Sequence, residues 1–100
     1  MPFAITSLDH GADYGGTCIK VVNKDGIELQ YFKSEEGYGF EVVEFYDRFQ
    51  ILGMFDLQKK QWMDYQCNPA SAPRLWKEEY FQVVDRMIAH LDKGMQDLLP

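Results

Sequence analysis

From Trp76 to Leu91 the chain repeats apolar residues at spacings of three and four: Trp76, Tyr80, Val83, Val84, Met87, Ile88 and Leu91. Lys77, Glu78, Asp85, Arg86, Asp92 and Lys93 fall mainly on the other side. That pattern predicts an amphipathic helix. Pro73, preceded by Ser71 and Ala72, predicts its start, because the N–H that proline lacks is unused in a first helical turn. Gly94 is placed to cap the far end, with Leu98 and Leu99 extending the apolar contact. A stripe of this length must be buried, and the remaining apolar surface of the chain is rich in β-formers. The expected fold class is therefore α+β: an antiparallel sheet of four to five strands, built as hairpins and packed by one C-terminal helix.

The strands announce themselves unevenly. Cys18–Val22 and Ile27–Phe32 flank Asn23-Lys24-Asp25-Gly26, whose closing glycine supplies the left-handed residue a hairpin needs. In the second run Ile27, Leu29 and Tyr31 alternate with Glu28, Gln30 and Phe32, so one face is buried and the other mostly wet. Ile51–Leu57 and Gln61–Gln66 make a further hairpin around Gln58-Lys59-Lys60, and Asn68-Pro69 with Pro73 breaks the ladder. The stretch 40–52 fits both periods. Its density of Phe, Val, Tyr and Ile favours strands with a tight connection at Asp47-Arg48. Residues 3–8 predict a short edge strand. Asp9 to Gly16 reads as a turn, on its composition of glycine and aspartate.

Size and composition bound the rest. One hundred residues make one domain spanning the whole chain, and 46% apolar residues supply a core without staples. No apolar run is long enough to span a bilayer, and the N-terminus lacks the basic and apolar regions of a secretory signal. Cys18 and Cys67 are then expected to be reduced thiols of a cytoplasmic protein. A net charge of −6 disfavours nucleic acid and anionic membranes as direct partners.

Catalytic and metal chemistry find little support. His10, His90 and the two cysteines lack the close spacing that builds a zinc tetrahedron, and no metal or cofactor is expected. His10 with Asp9 and Asp13 reads as a solvated loop, and His90 as a surface residue near a helix C-terminus. Cys18 with His10 is the one nucleophile–base combination worth noting, but both cysteines read as inert, buried thiols. Gly11, Gly15 and Gly16 precede a strand instead of a helix, which a phosphate-cradling loop requires.

Charge is distributed unevenly. Between Asp25 and Asp47 stand seven acids and one base, Lys33, while the rest of the chain carries nine of each. The whole net charge thus comes from one segment, interleaved with Tyr31, Tyr38, Phe40 and Tyr46. Acids beside tyrosines suit a basic protein partner. The sequence therefore predicts a non-enzymatic, acidic protein-binding domain. It would inhibit or regulate a basic, nucleic-acid-handling protein, in the manner of an immunity protein or phage-type inhibitor. Glu28, Glu35, Glu36, Tyr38, Glu41, Glu44 and Asp47 are the candidate partner-binding residues. A second expectation is a small-molecule pocket between sheet and helix, lined by Trp62, Trp76, Tyr80 and Phe81.

Overall fold

The structure, a computed structural model, describes residues 3–13, 16–34 and 39–93. Six strands follow in order: β1 (Ile5–Asp13), β2 (Gly16–Asn23), β3 (Ile27–Ser34), β4 (Glu41–Asp47), β5 (Gln50–Asp56) and β6 (Gln61–Met63). They pair as a single antiparallel meander in sequence order, and one helix, α1 (Tyr80–Lys93), packs on one face. The expected α+β architecture holds, with six strands in place of four to five. The extra pairing lies at the N-terminal edge. Asp9–Asp13 extend β1 along β2, with His10 opposite Ile19 and Gly11 opposite Cys18. Turn-forming composition loses here because an edge strand takes its backbone bonds from one neighbour and leaves its polar side chains in water.

The pleat sorts the core. Ile19 and Val21 of β2, Leu29 and Tyr31 of β3, and Val43 and Phe45 of β4 are all at most 1% exposed. They meet Tyr80, Val83, Val84 and Met87 of the helix in one apolar cluster that also takes in Phe55 and Trp62. Burying each such side chain stabilises the fold by roughly 1.5–3 kcal/mol. Burial, and then the negative charges of Glu79 and Asp25, push the Tyr80 phenol above its ordinary value of 10.0. The folded state thus favours the neutral phenol. The associated stability is present below about pH 10 and is lost as pH climbs through the raised value. Alkaline unfolding should therefore show a shallower loss of stability for Tyr80→Phe than for the wild type.

Two turns explain the central hairpins. In the β2–β3 turn the buried Asn23 accepts through Oδ1 from the backbone N–H groups of Asp25 and Ile27, both at 2.9 Å. Gly26 closes it at φ 82°, and its carbonyl accepts from Arg48 N at 2.9 Å, tying this turn to the next. The segment 40–52 is two strands, β4 and β5, joined at Arg48-Phe49. The ladder slips between Phe45 and Tyr46, which pair with Gly53 and Ile51 and leave Leu52 as a bulge.

The helix begins later than Pro73. Residues 68–70 run beside β6, where Ala70 N donates to Trp62 O and Met63 bridges Pro69, covering the sheet edge. A turn then joins Trp76 N to Pro73 O, and α1 opens at Tyr80 with N–H groups of residues 80–82 bonded three residues back. Backbone already committed to β6 and to turns cannot also build a helical ladder, so Trp76 enters the core from a turn. β6 likewise stops at Met63, where Asp64 Oδ1 accepts from Gln66 N and Asn68 N and turns the chain. The suggested cap at Gly94 and the contacts of Leu98 and Leu99 lie outside the described residues. Pro73 sits against Gly53: a β-carbon there would lie 2.7 Å from Pro73 Cγ. Gly53→Ala is therefore expected to destabilise by about 1–3 kcal/mol in urea unfolding, because neither the proline ring nor the adjacent Trp62 ring can yield cheaply.

Candidate functional site

Because α1 covers one face of the meander, the alternate residues of every strand point to the other. On that open face Phe32, Val42 and Met63 form a second, smaller buried cluster, with Cys18, Phe40 and Met54 packed against it. The strand register explains the grouping: Cys18 pairs with Phe32, Phe32 with Val42, and Met54 with Met63. Beside this cluster lies a cavity of about 330 Å³ walled by Phe32, Phe40, Val42, Met54 and Cys67, with Asp56 and Lys59 at its side. A second cavity of about 230 Å³ reaches from Ile51 to Tyr65, Ala70 and Ser71. Glu44, Met54 and Met63 line both, so the two hollows form one trough with a carboxylate at its middle.

An aromatic side chain, Tyr65, stands at the trough's outer end. Tyr65 is 73% exposed, and its hydroxyl donates to Ile51 O at 3.1 Å. Phe49, two residues from Ile51, is 93% exposed at the tip of the β4–β5 hairpin. Arg48 and Phe49 there take φ 47° and 73°, which a two-residue hairpin loop demands but which glycine or asparagine normally supplies. An aromatic held in left-handed backbone and offered to solvent is strain without a folding benefit. Replacing the pair with Asn-Gly is expected to stabilise the fold by about 1–2 kcal/mol in thermal unfolding. An unchanged midpoint would show that the turn carries no such strain.

The sequence-derived candidates do not converge as a set. Glu44 stands in the trough and accepts from the Tyr46 hydroxyl at 2.8 Å. Glu28 shares the open face but is only 7% exposed and accepts from Gln30 Nε2, which corrects its expected position on a hydrated surface. Glu41 points toward the helix side, where it accepts from the Tyr31 hydroxyl. Asp47 pairs with Arg48 at 3.4 Å beside the hairpin tip. Glu35, Glu36 and Tyr38 lie outside the described residues. The residues missed by sequence reasoning are the trough's own: Met54, Met63, Phe32, Phe40 and Asp56. Phe32 carried the signal, an aromatic in the polar register of β3.

Other expectations change as well. The rings expected to line a pocket between sheet and helix pack against one another within the apolar core. Trp76 meets Trp62 and Phe81 with ring centroids 4.9 Å apart and Tyr80 at 5.3 Å. Cys18 and His10 leave the sheet on opposite faces, since His10 pairs with Ile19 and Cys18 with Gly11. That separation removes the nucleophile–base combination. Cys67 is exposed instead of buried, at φ 63°, and no disulfide joins it to Cys18. Among the described residues no group of three or more potential metal ligands exists, and no helix is long and apolar enough to cross a membrane. No family model, curated protein or solved structure matches this chain.

Proposed function

We propose that this chain is a non-enzymatic docking domain that binds a basic, partly apolar segment of another protein in the open-face trough. In doing so it would inhibit or regulate a nucleic-acid-handling partner. The observation that carries this reading is Glu44, a carboxylate midway along an apolar trough that no element of the described chain covers. A lysine or arginine on the partner pairs with Glu44 while flanking apolar side chains enter the two hollows. Asp64 adds to the negative charge of the outer hollow and Asp56 to that of the inner one, where Lys59 is the opposing base. A net negative charge in a concave site speeds encounter with a basic segment, and the methionines adapt to the shape of what enters.

Photo-crosslinkers placed at Met54, at Phe49 and, as a control, at Gln82 on the exposed side of the helix test the proposal in the native host. The expected product is one basic protein captured from Met54 and Phe49 but not from Gln82, and lost with Glu44→Lys. Equal capture from Gln82, or a product that is a second copy of this chain, would overturn it.

A further inference from the structure

Three ladder rows cross the open face at the trough. Val42 stands opposite Asp56, Glu44 opposite Met54 and Met54 opposite Met63, and Tyr46 opposite Ile51. The inner hollow gathers on the first row and the outer hollow on the third, and both share the second. The trough therefore runs along β5, with β4 on one side and β6 and the chain after it on the other. From the Val42 row to the Tyr46 row is roughly 13 Å of strand. β4 and β6 are two strand spacings apart, about 9.5 Å between backbones. Side chains standing on both walls narrow this to the width of one extended chain, about 4.8 Å, whereas a helix with its side chains is about 10–12 Å across.

We infer, on the docking reading above, that the segment received is an extended stretch of about five residues lying along β5, with the pattern apolar–x–basic–x–apolar. Alternate residues of an extended chain are about 6.7 Å apart on one side, which is the spacing of the three rows. The central side chain then meets Glu44, and the outer two enter the hollows of about 330 Å³ and 230 Å³. Local charge fixes the place of the base. Lys59 borders the inner hollow and is exposed, so a cation entering there meets a like charge. Asp56 beside it already accepts through Oδ1 from the N–H groups of Gln58 and Lys59, at 2.9 and 3.0 Å. Asp64 at the outer hollow likewise accepts from two N–H groups of its own turn. A segment resting on the face takes no hydrogen bonds from a sheet edge, so its x positions accept proline. The site thus recognises one base between two apolar residues and not a basic run.

Fluorescence anisotropy with the full chain and labelled, capped peptides at low salt tests this pattern. Leu-Ser-Lys-Ser-Leu between glycine flanks should bind, and so should Leu-Pro-Lys-Pro-Leu, which cannot be helical. Lys-Ser-Leu-Ser-Lys carries more positive charge but sets bases on the hollows and leucine on Glu44. It should bind at least about tenfold more weakly, and Lys59→Glu should narrow that gap. Glu44→Gln should weaken the first two peptides. A stapled helix carrying leucine, lysine and leucine at successive fourth positions should bind no better than the doubly basic peptide. Absence of binding by the two extended peptides, equal or tighter binding of the doubly basic one, or preference for the helix would each overturn the inference. If the Met54 crosslinker still captures a basic protein in that case, docking in the trough stands and only the shape and pattern of the segment are wrong; with no capture, both fall.

Discussion

Trp76→Ala is expected to lower unfolding stability by about 3–5 kcal/mol, the range for deleting a large aromatic from a packed core. Phe45, Trp62, Tyr80 and Phe81 all make edge contacts with this one ring, at centroid distances of 4.9–5.3 Å. Those residues belong to β4, β6 and α1, so the truncation opens a hole where three elements join. The segment that delivers Trp76 has no regular hydrogen-bond ladder of its own to resist collapse or fraying. Stability in small domains is about 5–15 kcal/mol, so the variant should stand near the edge of folding. Trp76→Phe separates shape from polarity. The indole Nε1 is buried and has no hydrogen-bond partner among the described residues, so phenylalanine removes a costly orphan donor while keeping edge-to-face packing. Its expected cost is below about 1.5 kcal/mol. Urea unfolding followed by circular dichroism checks both. A loss under about 1 kcal/mol for Trp76→Ala would mean that the ring is not the junction the geometry describes. Leu75→Ala, at the exposed neighbour, serves as a control and should change stability by no more than about 0.5 kcal/mol.

The same residue shows where sequence periodicity stops being informative. Trp76 stands four residues before Tyr80, as a helical stripe requires, and both enter the core. The path between them is nevertheless a pair of turns, because spacing records which side chains are buried and not which backbone bonds carry them there. The stripe from Tyr80 to Leu91 was legible because a full helical period repeats in it. The β2–β3 hairpin was legible because Asn23 and Gly26 have chemistry that only a turn uses. Asp9 to Asp13 was misread because glycine and aspartate report local preference, whereas strand β1 exists through its partner.

Charge was the least transferable signal. Glu41 and Glu44 are neighbours in a cluster of acids, yet three residues along a strand reverses the face, so one joins Tyr31 on the helix side and the other enters the trough. Strand parity, applied once 40–52 is taken as β, separates them without any coordinates. The trough itself needed the register. Phe32, Val42 and Met63 become neighbours only when β3, β4, β5 and β6 are laid side by side. The approach of His10 to His90, with ring centroids 6.0 Å apart, had no local signature at all.

Strand parity also sets the sharpest test of docking. Against the partner identified by crosslinking, Glu44→Lys is expected to weaken binding by about 2–5 kcal/mol at low salt, the scale for breaking a charge pair inside a largely desolvated interface. Glu41→Lys, reversing an equal charge three residues away on the other face, should cost less than about 1 kcal/mol. Glu44→Gln keeps an acceptor for the Tyr46 hydroxyl and the shape of the wall. It should lose most of the salt dependence while retaining the apolar part of the affinity. Met54→Asp does the reverse: the Glu44 charge is kept and one more is added, but a carboxylate replaces the apolar wall common to both hollows, so binding should weaken even at high ionic strength. Isothermal titration at two salt concentrations, with circular dichroism to confirm the fold of each variant, distinguishes the cases. If Glu41→Lys and Glu44→Lys weaken the complex equally, diffuse negative charge is the determinant and the trough is not the binding site. If only the open-face variants fail, recognition depends on where the pleat puts a carboxylate and not on how many the segment carries.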